Sequence, residues 1–212
     1  MKKISILSTA LLSIIVLPVL AKLVETHDIE VVINQNAPTN VFAANIGGTI
    51  TDNAMTTLPA GSTVIQNGLI YPKGTVSLNQ QSFTVDKHGN PLTQLNSIGT
   101  WESTSFELVE FDQNNPPAIG TDTAVVTSVF EFNPMTNPNT PNEIITIGKE
   151  ELVNTPANGV QLSVIPMVVI GGIGKNNKAS GTATAQIFEA PDGKSQVMMV
   201  HFDKEIKINV PG

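Results

Sequence analysis

Carboxylates in strand-like segments are the residues of this chain best suited to chemistry. They are Glu102, Glu107, Glu110 and Glu131. A strand rises about 3.3 Å per residue, so Glu102 and Glu110, which share parity, would stand roughly 25 Å apart and form no acid–base pair. Glu107 faces the other side. A carboxyl inside an apolar cavity has a raised pKa and can act as a general acid. Glu107 is therefore a candidate catalytic residue, the alternative being a solvent-facing strand residue.

Four side chains are candidates for ligand binding: Tyr71, Trp101, Glu131 and His201. The chain has one Trp and one Tyr, and each can close a pocket with an apolar body and a polar tip. Glu131 lies between two phenylalanines, so it faces a cavity only if they face outward. The histidine lies on the polar face of the last strand. The alternative is core packing for the two aromatics and solvation for the others.

The motifs for metal, nucleotide and nucleophilic chemistry are missing from the sequence. The three histidines lie far apart, and there is no cysteine. The run Gly171–Lys175 resembles a phosphate loop, but Val169 replaces its first glycine and Asn176 replaces its final Ser or Thr. No Gly-x-Ser-x-Gly elbow occurs. We expect no cofactor and no dedicated metal site.

The N-terminal 21 residues have the pattern of a secretory signal peptide. Lys2 and Lys3 precede an apolar run from Ile4, and Val19–Ala21 fits a cleavage site after Ala21. An uncleaved membrane anchor is the alternative. The whole chain carries a formal charge of −7, and every basic residue is lysine. We expect an exported protein, periplasmic or extracellular, that binds neither nucleic acid nor, after cleavage, the membrane.

The remainder predicts an all-β domain, since turn residues recur between runs of Val, Ile, Thr and Phe. Residues 22–40 are expected to be a lead-in segment with a short strand at Ile29–Ile33, and residues 41–212 the β-barrel domain. The predicted strands are Val41–Thr51, Thr63–Tyr71, Gly74–Thr84, Gly99–Phe111, Thr123–Phe132, Glu143–Leu152, Val160–Ile170, Ala179–Ala190 and Gln196–Val210. The seventh is apolar on both faces, which fits the covered wall of a small barrel.

A glycine-rich corner follows that strand. Gly171, Gly172 and Gly174 permit a positive φ or a close backbone approach, and Gly181 lies inside the next strand. The corner resembles the strand–GGTGK–x–x–x–A–x–G turn of the dirigent and allene oxide cyclase family. Ile98–Glu102 is similar to that family's G-T-W strand start.

The resemblance extends from about Ala43 to Val210. It implies an eight-stranded antiparallel barrel of calycin type with an apolar lumen, and association as dimers or trimers. Asp52 is similar in position to the first Asp of the family's F-D-D-x-L-T motif, which implies a catalytic role, but Asn53 replaces the second Asp. The chain also lacks the arginine with which plant dirigents are thought to orient radicals.

Three functions remain open at this point. The first is a secreted barrel that binds or orients a small hydrophobic molecule in its lumen, dirigent-like and without catalysis of its own. The second is a cofactor-free cyclase or isomerase resembling allene oxide cyclase, with Asp52 or Glu107 as the polar group. The third is a structural or interaction protein with a filled barrel, for which outward apolar residues such as Met167 and Val169 would provide the contact surface.

Overall fold

β-Strands make up most of the described chain. The structure is a computed structural model, and it describes residues 22–34, 41–44, 50–51, 57–112, 115–132, 141–154 and 161–210. The strands are β1 (Lys22–Asn34), β2 (Val41–Ala44), β3 (Ile50–Thr51), β4 (Thr57–Leu58), β5 (Thr63–Pro72), β6 (Gly99–Glu107), β7 (Phe111–Asp112), β8 (Asp122–Phe132), β9 (Glu143–Leu152), β10 (Gln161–Ile173), β11 (Gly181–Glu189) and β12 (Ser195–Val210). A single 3₁₀ turn, Gly174–Asn176, is the only helical element in these ranges.

Eight of these strands close into an antiparallel barrel. Their order is β1-β12-β11-β10-β9-β8-β6-β5, and β5 pairs with β1 to complete the ring. β2 pairs with the first part of β5, and β3 extends that short flap. The closed ring confirms the predicted all-β class and the eight-stranded barrel. The predicted signal peptide lies outside the described residues.

The segment after the predicted cleavage site belongs to the barrel. We expected a lead-in with a short strand at Ile29–Ile33, but β1 pairs with β12 along one edge and with β5 along the other. Ile29, Val31 and Ile33 alternate into the lumen and are buried there. Without β1 both neighbouring strands would have unpaired edges, which explains why a segment with few apolar residues before Ile29 is still a full strand.

The predicted strand Gly74–Thr84 does not form. This stretch is a series of turns within a lobe, Lys73–Ser97, which we call the outer lobe because it covers the outside of β1, β5 and β12. The buried carboxylate of Glu30 accepts hydrogen bonds from the backbone N–H of Gly74 at 2.6 Å and of Val76 at 2.8 Å. Those N–H groups are therefore satisfied by a side chain of β1 instead of by a neighbouring strand.

The barrel interior is packed with apolar side chains over most of its length. Alternate residues of the strands point inward, and their largest members include Trp101, Phe130 and Phe202. The two phenylalanines meet edge to face, with ring centroids 5.7 Å apart. A second, smaller core lies outside the wall, where Phe83 of the outer lobe packs near Tyr71.

β10 is apolar on both faces, but its outward face is the reverse of the one expected. Met167 and Val169 point into the lumen and are buried, whereas Val168 and Ile170 are 54% and 58% exposed. The register shift between Val169 and Gly171 shows that a bulge follows. The alternation of side chains along β10 could not show which face points inward, since its two faces are equally apolar.

The glycine corner closes one end of the barrel. Gly174 has a φ of +67° and Gly181 a φ of +122°, conformations that other residues rarely adopt. A Cβ on Gly172 would collide with the carbonyl oxygen of Asn176, whereas Gly171 faces open space. Asn176 is buried and donates to the Lys207 carbonyl at 3.0 Å, which fixes the turn against β12.

Candidate functional site

Three carboxyl groups point into the opposite end of the lumen. β6, β9 and β11 run in the same direction and end there, with Glu107, Glu150 and Glu189 at or near their last residues. Glu107 shares the lumen face with Trp101, and Glu150 shares it with Ile144. Glu189 lies two residues beyond the lumen-facing Ile187. We call this region the acidic end of the lumen.

Glu107 is the most enclosed carboxyl of the acidic end by surface area, with 7% of the residue exposed. Its pKa is raised from an ordinary value of 4.5 to about 7. Burial is the main cause, a hydrogen bond from Ser105 opposes it, and the negative charge of Glu150 adds to it. That bond runs from the Ser105 Oγ to the Glu107 Oε1 at 3.0 Å. Near neutral pH the side chain is therefore divided between its neutral and charged forms.

A single alanine separates the two central carboxyls. Ala124 of β8 pairs with Glu107 on one side and with Glu150 on the other. Adjacent strands lie about 4.8 Å apart, so the two backbones are about 10 Å apart with only a methyl group between them. Burial also raises the pKa of Glu150, against the lowering effect of a hydrogen bond from the Ser163 hydroxyl at 2.5 Å.

Glu189 is the third member of the group. Its pKa is also raised, and the cause is burial. Three inward carboxyl groups with raised pKa values at one end of a barrel favour protonation, because their charged forms would be poorly hydrated and would repel one another.

A serine hydroxyl next to Glu107 has no partner among the described residues. Ser62 is 1% exposed, and its Oγ makes no hydrogen bond. The backbone N–H of Glu107 donates to the Ser62 carbonyl oxygen at 2.9 Å, so the two residues are cross-strand neighbours. By alternation from Val64, Ser62 faces the lumen. A buried hydroxyl without a partner is costly, so this position would gain from a polar atom of a bound molecule.

The acidic end can therefore perform two kinds of recognition. A protonated Glu107 donates a hydrogen bond to a carbonyl, ether or hydroxyl oxygen, and its ionised form accepts one. A carboxyl with a pKa near 7 is also suited to proton transfer at neutral pH. The small neighbours Ser62, Ala124 and Ser163 contrast with the large rings that fill the middle of the barrel.

The sequence-predicted site residues fall into separate places. Glu107 lies at the acidic end, and Asp52 lies outside the described residues. Tyr71 and Glu131 line one groove on the outer wall. The Trp101 side chain lies on the lumen face of β6, within the barrel core. Glu131 faces outward because its two neighbouring phenylalanines face inward.

His201 lies on the outer surface of β12. Its Nδ1 is 2.9 Å from Oδ1 of Asp28, and Lys73 donates to Oδ2 of the same carboxylate at 3.0 Å. Although partial burial raises the pKa of Asp28, the hydrogen bonds from His201 and Lys73 hold it below its ordinary value. Because Lys73 begins the outer lobe, this cluster fastens the lobe to the barrel and does not reach the lumen.

Sequence reasoning missed Glu150, Glu189 and Ser62. Glu150 shares parity with Ile144 and Leu152 within a correctly predicted strand, so the alternation contained the signal. Ser62 gave no signal, because its importance comes from its position opposite Glu107 in a neighbouring strand.

Among the described residues no group of three or more His, Asp or Glu could hold a metal ion. Within the same ranges no helix is long and apolar enough to cross a membrane. Comparison of the chain with models of protein families, with curated proteins and with solved structures found no match.

Proposed function

We propose that this protein is an exported small-molecule-binding barrel that holds its ligand at the acidic end of the lumen. The observation that supports this proposal best is the enclosed Glu107 carboxyl, beside an unpartnered Ser62 hydroxyl. The ligand would present an oxygen to these two groups and an apolar body to the lumen wall. The resemblance to dirigent and allene oxide cyclase barrels supports the same function, since those proteins act on small apolar molecules.

A cofactor-free cyclase or isomerase is the second candidate. The pKa of Glu107, raised by burial to about 7, favours it because a general acid works best when its pKa is near the working pH. In that case Glu107 would transfer a proton to the bound oxygen, and Glu150 would keep that proton on Glu107 beforehand. Replacing Glu107 by Gln would then remove turnover and preserve binding.

A structural or interaction protein is the third candidate. It is favoured by the packed middle of the barrel and by the exposed Val168 and Ile170 on β10. These residues form an apolar outer face that a second copy of the chain could cover, in line with the dimers or trimers implied by the resemblance.

Native mass spectrometry tests the binding proposal. The protein is purified from cells that produce it naturally, and its native mass is compared with its denatured mass. We expect an additional mass of a few hundred daltons per subunit, which Glu107→Ala loses and the exposed-site control Glu110→Gln retains. A bare subunit mass in the wild type, with subunits associated as a dimer or trimer, would instead favour the structural function.

A further inference from the structure

The glycine-corner end of the barrel has a pocket of its own. It has a volume of about 350 Å³ and lies between residues 175–180 of the corner and residues 203–207 of β12. We call it the corner pocket. Its volume is within the range of about 300–1,000 Å³ that is usual for small-molecule sites. The acidic end lies at the other end of the lumen, so the two sites are separate.

The corner pocket forms where β12 leaves its neighbours. The pairing of β11 with β12 extends to Phe202, and the pairing of β1 with β12 shifts register between His201 and Ile206. The glycine corner lies beside this irregular stretch. Asn176 joins the two walls, since its side-chain amide donates to the Lys207 carbonyl oxygen at 3.0 Å and accepts from the Lys207 N–H at 2.9 Å. The pocket therefore has two walls that are held together.

The floor of the corner pocket is the apolar end of the barrel core. Ile144, Val169 and Phe202 line it, and all three belong to the lumen-facing core. Because each of them is at least nine-tenths buried, the pocket ends at the packed core and does not continue into the lumen. The floor is therefore a shallow apolar surface that suits a single ring or a short chain.

The walls of the corner pocket are rich in lysine. Four of the 11 lysines of the chain line it, two from the corner and two from β12: Lys175, Lys178, Lys204 and Lys207. This concentration of positive charge occurs in a chain whose formal charge is −7. Within the described ranges neither Lys178 nor Lys204 forms an ion pair, and Lys204 donates to the neutral Ser180 hydroxyl at 3.0 Å.

Two acidic residues also line the corner pocket, but their carboxylates have other partners. Asp203 accepts a hydrogen bond from the backbone N–H of Thr182 at 3.0 Å, and Glu205 lies 3.9 Å from the Nε2 of His27 on β1. Neither carboxylate pairs with Lys178 or Lys204. The positive charge of the walls therefore exceeds the negative charge, and it attracts an anion.

We propose that the corner pocket binds a small amphipathic anion. Its phosphate, sulfate or carboxylate head would contact the ammonium groups of Lys178 and Lys204, and its ring or short chain would lie on the apolar floor. The charge of the walls decides against an amine, and the closed floor decides against a long-chain lipid. The inference does not depend on the function proposed for the lumen.

A matched series of benzyl compounds tests the charge and the apolar body separately. Purified protein at pH 7.5 and low salt is titrated with benzyl phosphate, neutral benzyl alcohol, cationic benzylamine and inorganic phosphate, and binding is followed by calorimetry and by NMR. We expect benzyl phosphate to bind at least tenfold more tightly than the alcohol or the amine and at least threefold more tightly than inorganic phosphate, with the largest NMR shifts at residues 174–180 and 203–207. No binding of benzyl phosphate at 5 mM, a preference for the amine, or equal affinity for the two phosphates would overturn the proposal.

Two double variants of equal charge locate the head group. In Lys178→Gln/Lys204→Gln, which changes only exposed side chains, we expect benzyl phosphate to bind at least tenfold more weakly. The control Lys87→Gln/Lys194→Gln removes the same charge from exposed positions outside the pocket and should bind as the wild type does. Equal affinity in the two double variants would contradict the proposed position of the head group.

Discussion

A single enclosed carboxyl accounts for most of the chemistry proposed for the lumen. Among the described residues, Glu107 has only the Ser105 hydroxyl as a side-chain hydrogen-bond partner, and its pKa is raised by burial and by Glu150. A charged group in this position destabilises the folded protein, because its hydration is lost and no cation in the described ranges pairs with it. Groups with strongly shifted pKa values are common at functional sites, so Glu107 is the residue most suited to a functional role in the lumen.

The stability of the protein should depend on the protonation of Glu107. The folded state keeps the proton up to about pH 7, whereas an unfolded chain releases it near pH 4.5, so the folded state binds more protons between these values. The free energy of unfolding should therefore fall as the pH rises through this window, by about 3 kcal/mol for this group.

Urea unfolding at pH 5 and pH 8 measures this effect. Glu107→Gln keeps a polar group for Ser105 but cannot ionise, so we expect it to be more stable than the wild type at pH 8 and to lose part of the pH dependence. Glu150 and Glu189 should supply the remainder. An identical pH profile in variant and wild type would mean that Glu107 is not enclosed as described.

At the scale of elements, loops and turns position the strands through a few specific contacts. The outer lobe depends on Glu30 on the outer face of β1, which accepts hydrogen bonds from two backbone N–H groups of the lobe. The glycine corner depends on a positive φ at Gly174, where a Cβ would also collide with the Pro141 carbonyl oxygen. Each element is therefore sensitive to a single substitution at these contacts.

Replacing Glu30 by Ala should destabilise the outer lobe. The N–H group of Val76 would be left buried and unpaired, at a cost of about 1–3 kcal/mol, and the exposed Gly74 would lose its hydrogen bond to the lobe's anchor. Hydrogen exchange should show faster exchange across residues 73–97, and the free energy of unfolding should fall. Glu110→Ala is the matched control, and equal protection in both variants would contradict the role assigned to Glu30.

The glycine corner provides a matched pair of substitutions. Gly174→Ala requires a strained backbone and a shift of the Pro141 carbonyl, so we expect a loss of at least 1 kcal/mol. Gly171→Ala meets no atom within 4 Å and should change stability by less than about 0.5 kcal/mol. Thermal unfolding of the two variants compares them directly, and the opposite order of stability would be inconsistent with the described turn.

The sequence predicted most barrel strands correctly but not the outer lobe. Alternating patterns predicted β5, β6, β8, β9, β11 and β12 closely, because each has one apolar face. The same reasoning placed a strand at Gly74–Thr84, since it could not detect that Glu30 would take those N–H groups. It identified Glu107 as an inward carboxyl candidate, but the pairing of Glu107 and Glu150 across Ala124 depends on strand register, which one sequence does not reveal.

At the scale of the whole molecule, β1 determines whether the barrel closes. It pairs with β12 from Lys22 onward and with β5 from Ile29 to Val32, so cleavage after Ala21 would leave every described barrel strand in place. The predicted cleavage site therefore lies directly before the first barrel strand and outside it. The acidic end of the lumen lies on the inner side of the closed wall, and the groove lined by Tyr71 and Glu131 lies on its outer side.

Removal of β1 should prevent folding. A chain that begins at residue 35 would leave the edges of β5 and β12 unpaired and would lose Ile29, Val31 and Ile33 from the lumen. We expect this chain to aggregate or to unfold without a cooperative transition, whereas a chain that begins at Lys22 should unfold cooperatively. Circular dichroism and size-exclusion chromatography make the comparison, and a soluble, cooperative shorter chain would show that β1 is dispensable.

Glu107 faces the lumen with a pKa near 7. The most direct measurement is a pH titration of the Glu107 side-chain carboxyl carbon by ¹³C NMR, with Glu107→Gln used to assign the signal. We predict a midpoint near pH 7, and a lower midpoint in Glu150→Gln because the neighbouring charge is removed. A midpoint near 4.5 that does not respond to Glu150→Gln would show a solvated carboxylate and would contradict the proposed site.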